Sequence, residues 1–276
     1  MGFSHSRYKH SEMNTWNEVA PRYHKRWAGA NKGPFESTAK LVQEARVKRG
    51  DAVLDVACGT GAVTKEIAKK VGSSGYVVGV DTSVAAIKIA KKENCAANID
   101  FVNADAERFG FFKKFDIVTC QYALFFFPSA QKALKNMKRS LKESGRLGIT
   151  VHGNNTPFYT SIIEPVSKFI PDYARPDSPK LDRYGTRSAL AAEVKRAGFG
   201  RVMVKEFVFR YSPGTFESYW RRYIRYIATP LREKLDRLEP AQKKELKKEV
   251  RERTIQYTSN GVIVFPWQVL ILTARR

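Results

Sequence analysis

Three aspartates, Asp55, Asp81 and Asp105, each stand at or just after the end of an apolar run, and Gly59-x-Gly61 follows the first of them. A carboxylate at the end of the second run, Tyr76–Asp81, can accept both hydroxyls of a ribose. Glycines directly after the first run let the backbone approach a ligand where a Cβ would clash. Val63, Ile67 and Val71 then recur at helical spacing, which places a helix N-terminus, with unpaired N–H groups and positive dipole, beside a ligand carboxylate or phosphate. A dinucleotide fingerprint needs a third glycine at position 64, which is Thr64, so a pyrophosphate is disfavoured. The competing reading of Asp81 and Asp105 is capping of the element that follows each.

The elements that must position these residues alternate. Strands are expected at 53–57, 76–80, 99–103, 115–120 and 146–151, with helices between them, a rhythm that demands parallel pairing and right-handed crossovers. A helix over 129–141 starts with Pro128 at its first position and ends before Gly145. Residues 1–50 read as a helical arm in which Trp16, Val19, Ala20, Tyr23 and Trp27 share a stripe, broken at Gly33-Pro34. Residues 51–152 are the core. Residues 153–186 have no strand pattern and hold Phe158, Tyr159, Phe169 and Tyr173, the mark of a lid insertion. The core resumes over 187–212, a charged helical cap insertion covers 213–260, and 261–276 holds the last strand, opened by Pro266 because proline cannot donate to a ladder.

The stretches Val53–Gly61, Gly79–Ser83, Asn103–Glu107, Phe115–Gln121 and Leu141–Leu147, in this order, resemble the class I S-adenosylmethionine-dependent methyltransferases, within them the ubiquinone/menaquinone-type small-molecule branch. The resemblance implies an α/β, Rossmann-like, seven-stranded and mostly parallel sheet with helices on both faces and a helical cap from the two insertions. It implies S-adenosyl-L-methionine as cofactor and S-adenosyl-L-homocysteine as product. Ala57, Cys58, Gly59 and Gly61 would approach the methionine part, and Asp81 with Thr82 the ribose. Asp105 and Ala106 would hold the adenine. Asp55 would orient the loop or the cofactor ammonium, and Gln121 would lie beneath the methyl group. Tyr23, Trp27, Phe126 and Tyr159 would line the acceptor pocket.

Nucleic-acid amino methyltransferases carry a (Asp/Asn/Ser)-Pro-Pro-(Tyr/Phe) motif where this chain has Gln121-Tyr122-Ala123-Leu124. The expected function is therefore methyl transfer to a small, partly hydrophobic acceptor. An RNA or tRNA methyltransferase with a strongly basic surface is the alternative, and a non-catalytic binding module a third. Tyr122 and His152 are the candidate catalytic residues, and a solvent-facing histidine without a role is the rival reading of His152.

The 276 residues carry a formal net charge of +22. Such a field attracts anions of every kind. Its Lys and Arg are spread along the chain, so nucleic acid is expected to bind only non-specifically. Tyr219–Ile227, which interleaves arginines with aromatics, is the exception to that spread. Cys58, Cys95 and Cys120 lack metal-ligand spacing; no metal is expected, and reduced cysteines suit a cytoplasmic location. No apolar run is long enough to span a bilayer, and no secretory leader is expected.

Overall fold

The computed structural model describes residues 2–27, 36–111, 114–172, 180, 182–226 and 229–276, with the side chains of 2–12, 26–27, 222–226 and 229–231 left aside. In chain order the elements are α1 (Gly2–Trp27), α2 (Glu36–Glu44), β1 (Ala52–Val56), α3 (Ala62–Val71), β2 (Tyr76–Asp81), α4 (Val84–Glu93), β3 (Ile99–Asn103), β4 (Phe115–Gln121), α5 (Ala130–Ser140) and β5 (Leu141–His152). There follow α6 (Pro157–Phe169), α7 (Arg187–Arg196), β6 (Gly200–Gly214), α8 (Phe216–Tyr226), α9 (Thr229–Asp236), α10 (Pro240–Thr254), β7 (Thr258–Ser259) and β8 (Val262–Arg275).

The strand order is β3-β2-β1-β4-β5-β8-β6, with the two-residue β7 paired to β8 off this path. β3, β2, β1, β4 and β5 run parallel, and β8 is antiparallel to β5. The order turns back between β1 and β4. In open parallel sheets such a switch point leaves a crevice beyond the carboxyl ends of the strands, where ligands bind.

Alternation along β5 shows how the sheet is covered on both sides. Gly148 faces α2: a Cβ built on it would meet Leu41 at 3.0 Å and Ala45 at 3.1 Å. Its neighbours Leu147 and Ile149 point the other way and join Leu134, Met137, Leu190 and Val194 of α5 and α7 in the main core. The stripe of Leu41 and Val42 in α2, continued by Ala45 just past its end, and the α5 stripe of Ala133, Leu134 and Met137 are the apolar faces that helical spacing produces.

Three expectations are corrected. Ser129, not Pro128, begins α5: its side chain accepts from the Lys132 N–H, so Pro128 precedes the cap. Between β3 and β4 there is no crossover helix among the described residues. The Asp105 carbonyl accepts from Arg108 and Phe109 in a single turn before Gly110. Pro266 lies inside β8 and not at its start, in the stretch between the residues paired with β7, up to Ile263, and those paired with β5, from Val269. A proline fits there because neither of those ladders needs its missing N–H.

The chain divides into two compact units. The first holds residues 1–154, 179–207 and 269–276, and the second 155–178 and 208–268. The second is built round Phe158, whose ring lies 5.2 Å from Trp267, 5.3 Å from Tyr211 and 5.4 Å from Tyr219. Both inserted segments thus contribute to one aromatic core. No described helix is long and apolar enough to cross a membrane.

The packing across β2 yields a test. Gly79 lies under Phe101, and an added Cβ would sit 2.8 Å from Phe101 Cδ1 and 3.0 Å from Cys58 Sγ. Overpacking of this kind costs about 1–3 kcal/mol. Gly79→Ala should lose that much in urea unfolding, and Phe101→Leu in the same chain should recover part of it. A Gly79→Ala protein as stable as the parent would refute the close contact.

Candidate functional site

At the switch point, the residues directly after β1 and β4 both adopt a left-handed backbone: Ala57 with φ 56° and Tyr122 with φ 54°. For residues with a Cβ this conformation costs about 1–2 kcal/mol each, and it persists only where surrounding contacts enforce it. Those contacts are present at both places.

On the β1 side, the loop is stitched to β2. The Cys58 N–H donates to Val80 O at 3.0 Å and the Gly59 N–H to Asp81 Oδ2 at 2.8 Å. The other Asp81 oxygen accepts from the Ser83 N–H at 2.8 Å. Burial raises the Asp81 carboxyl above its ordinary range, and the N–H donors of Ser83 and Gly59 oppose that rise. Gly59 has φ 55° and open space where a Cβ would be, whereas at Gly61, with φ 86°, a Cβ would strike Asn94 and Phe101 at 2.8 Å. The first glycine therefore leaves room for a ligand, and the second serves packing and the turn into α3. Thr82 supplies a carbonyl to Asn103 Nδ2 at 2.9 Å.

Beneath the loop, Asp55 is 1% exposed. Its Oδ2 accepts from Thr64 Oγ1 at 2.7 Å and its Oδ1 from Thr119 Oγ1 at 2.8 Å. Burial pushes its pKa up to about 6, against the pull of these two hydroxyls. Its direct partners are thus the first turn of α3 and β4. The Cys58 and Cys120 thiols are raised by burial too, which leaves them poor nucleophiles.

Asp105 accepts from the Glu107 N–H at 2.9 Å, so it caps its own turn. Ala106 is buried and its carbonyl accepts from Asn136 Nδ2.

On the β4 side, the helical arm supplies the contacts. Ser37 Oγ lies 2.9 Å from the Tyr122 hydroxyl, and Gln121 Nε2 donates to Thr38 Oγ1 at 2.9 Å. The Tyr122 N–H donates to Thr150 O at 2.8 Å. The Tyr122 ring stacks on His152 with centroids 4.3 Å apart and planes at 14°. His152 is buried, not solvent-facing, and burial pushes its pKa down to about 3, so its ring is neutral near pH 7. From His152 the rings continue to Phe125 at 5.7 Å, Phe126 at 4.7 Å, Trp16 at 5.4 Å and Tyr23 at 5.5 Å. An unbroken file of rings therefore joins the tip of β5 to α1.

The structure brings Ala57, Cys58, Gly59, Asp81 and Thr82 together on one side, and Gln121, Tyr122, His152, Phe126 and Tyr23 on the other. Tyr159 belongs to the second unit, against Phe158 at 5.1 Å and Trp267 at 5.3 Å. The side chain of Trp27 lies outside the described residues, as do Tyr173 and the side chains of Arg222, Tyr223, Arg225 and Tyr226. Sequence reasoning missed Ser37, Thr38 and Asn17. Asn17 Oδ1 accepts from Ser83 Oγ at 2.8 Å and from the Ala85 N–H at 3.1 Å, which ties α1 to the start of α4. Small polar residues on an otherwise apolar helix stripe were the available signal.

Known proteins match this arrangement. A family model described as a methyltransferase domain fits residues 53–145. The demethylmenaquinone methyltransferase of Lactobacillus johnsonii is 32% identical over 177 residues, covering 62% of this chain and 72% of that protein. The ubiquinone/menaquinone biosynthesis C-methyltransferase of an Enterobacter species is 34% identical over 140 residues, 49% of this chain and 53% of that protein. Among solved structures, the YcgJ protein of Bacillus subtilis superposes with a TM-score of 0.58 at 21% identity, covering 88% of this chain and 99% of its own. A Haemonchus contortus phosphoethanolamine N-methyltransferase, solved with S-adenosyl-L-methionine, gives 0.56 at 16%, covering 94% of this chain and 57% of its own. Likeness at these identities shows the fold.

Asp55 makes the site's stability depend on pH. Its folded pKa is raised, so stability is fullest below the unfolded value of 3.8 and is lost as pH rises through about 6. Asp55→Asn removes that ionisation. The stability of the parent relative to Asp55→Asn should fall by about 2–3 kcal/mol between roughly pH 4 and 7. Chemical denaturation at several pH values reads this directly, and a difference that stays flat with pH would sink the assignment.

Proposed function

We propose an acceptor for this chain, which belongs to the class I S-adenosylmethionine-dependent methyltransferases of the ubiquinone/menaquinone type: a small, partly hydrophobic, quinone-like ring compound. The observation that carries this reading is the file of neutral rings from Tyr122 and His152 to Trp16 and Tyr23. Flat, uncharged faces of this kind suit another ring, which gains from stacking and from leaving water. The names of the Lactobacillus and Enterobacter relatives point to the same chemistry.

The residues fit the cofactor. The space above Gly59 admits close approach of a ligand to the backbone. Asp81 spends one acceptance per oxygen on N–H groups, and a carboxylate has about four such sites, so it retains capacity for two ribose hydroxyls. In this reading Ala57, Cys58 and Gly59 cradle the methionine part while Gly61 turns the chain into α3, Thr82 flanks the ribose, and Asp105 with Ala106 holds the adenine. When bound, the cofactor supplies an electrophilic methyl on a sulfonium. Asp55 acts on it through the loop and not by contact. Tyr122 and His152 act as a stacked pair that orients the acceptor, the hydroxyl of Tyr122 being fixed by Ser37. A base with His152's depressed pKa removes protons weakly, so alignment is the larger part of its contribution.

Two measurements test these roles. Charge-assisted hydrogen bonds contribute about 1.5–3 kcal/mol. Asp81→Ala should therefore weaken S-adenosylhomocysteine binding in calorimetry by about tenfold or more with the fold intact. Unchanged affinity would remove Asp81 from the site. Methyl transfer to a naphthohydroquinone, followed by mass spectrometry, tests the acceptor, and its absence across ring sizes and tail lengths would refute the quinone-like class.

The charge is assigned to a diffuse field. Tyr219, which opens the arginine-aromatic segment, is fully buried with its hydroxyl donating to Phe158 O, and so is unavailable for stacking on bases. Nucleic acid should bind weakly, with affinity falling steeply with salt as counterions are released. Tight, sequence-selective RNA binding that survives roughly 0.2 M salt would instead favour the RNA reading.

A further inference from the structure

Thr38 and Leu41 of α2 and Ala45, just past its end, form one stripe. Leu41 and Ala45 cover Gly148, and Thr38, one turn earlier, reaches Gln121. Gln121 and Thr150 are register partners in adjacent parallel strands, so their side chains project from the same face and lie next to each other. Thr38 takes up the amide N–H of Gln121, and this leaves the carbonyl end of the side chain directed elsewhere. Gln121 is 8% exposed and Thr150 0%, and both Gln121 Oε1 and Thr150 Oγ1 are buried without a protein partner. Two such atoms on register-paired neighbours are unusual, since buried polar groups in folded proteins are nearly always paired.

The chemistry of the two atoms narrows what complements them. Gln121 Oε1 can only accept, whereas the Thr150 hydroxyl can donate and accept. A ligand hydroxyl satisfies both at once: it donates to Gln121 and accepts from Thr150. A ligand carbonyl would meet the Gln121 carbonyl with no proton between them. An ammonium would leave the Thr150 proton unused, and Asp55, whose register partner on β4 is Thr119, is already spent on Thr64 and Thr119.

We propose that Gln121 and Thr150 bind a hydroxyl of the methyl acceptor, with Thr38 as the positioning residue that sets which way the Gln121 amide faces. This rests on the small-ring acceptor reading above, and it adds the residues that select within that class. Sites built to hydrogen-bond a hydroxyl discriminate strongly against analogues without one, because their own buried groups are then stranded.

The test uses phenol as a bare hydroxyl probe and anisole, its methyl ether, titrated into the full chain loaded with S-adenosylhomocysteine and followed by ligand-observed NMR. The parent should prefer phenol by about tenfold or more. Gln121→Met and Thr38→Val should each abolish the preference, and their double variant should do no more than either, since both act through one amide. Thr38→Ser should keep it. Equal binding of the two probes by the parent would overturn the proposal, whatever the turnover assay gives. So would a Gln121→Met protein whose affinity for S-adenosylhomocysteine falls in parallel, because the amide would then serve the cofactor. A phenol preference without turnover of naphthohydroquinone would support the hydroxyl site and remove only the quinone-like reading.

Discussion

The buried carboxylate of Asp55 is the joint on which the switch point rests. It sits near the end of β1, takes one hydroxyl from α3 and one from β4, and so ties three elements together. Burial makes the charge costly, and the two hydroxyls offset that cost in part. The arrangement also explains why the helix after the glycine turn begins where it does: Thr64, in its first turn, is anchored downward, which directs the start of α3 toward the crevice. A loop resting on a loose joint could not hold Ala57 in a left-handed conformation.

A second carboxylate closes the loop from the other side. Asp81 divides its oxygens between Gly59 and Ser83, so the glycine turn and the turn into α4 share one anchor. Ser83 is in turn held by Asn17 of α1, while Thr38 and Ser37 of α2 hold Gln121 at the end of β4 and Tyr122 just after it. The helical arm is therefore tied to both walls of the crevice through polar side chains at the ends of strands, and its apolar stripe lies against the sheet below. Arm and site are one hydrogen-bonded system, and a disturbance on either wall reaches the arm.

Much of this was legible in the sequence because the central parallel strands β1, β2 and β4 are buried on both faces and read as β-branched runs. The glycine turn and the acid at the end of β2 stand beside the switch point of the sheet, and the order of the five stretches follows the order of its strands. The rest was not legible, for physical reasons. Pro266 is tolerated inside β8 because of which partner strand ends where, which no single segment encodes. Ser37 and Thr38 look like any helix start until α2 is laid on β4 and β5. Tyr122 carries no local sign of its positive φ, since only its neighbours enforce it. The crossover after Asp105 was expected as a helix because the rhythm asked for one, but a capped turn followed by Gly110 ends it after one winding.

The chemistry of the site follows from its neutrality. His152 is uncharged, Tyr122 is bonded to a serine hydroxyl, and the rings beyond them are the phenyls of Phe125 and Phe126, the indole of Trp16 and the phenol of Tyr23. None of these groups can offer much charge to a developing transition state. What they offer is a fixed, water-poor surface, and a displacement in line benefits most from that. Its barrier falls when nucleophile and carbon are held in register and solvent is kept from competing. The acids of the site are placed accordingly: Asp55 and Asp81 lie under and beside the loop, where they shape the cradle, and not along the file of rings, where an anion would draw in water. A basic exterior is compatible with this division, because the field of +22 acts on what approaches the molecule, whereas selection and alignment depend on contacts a few ångströms long.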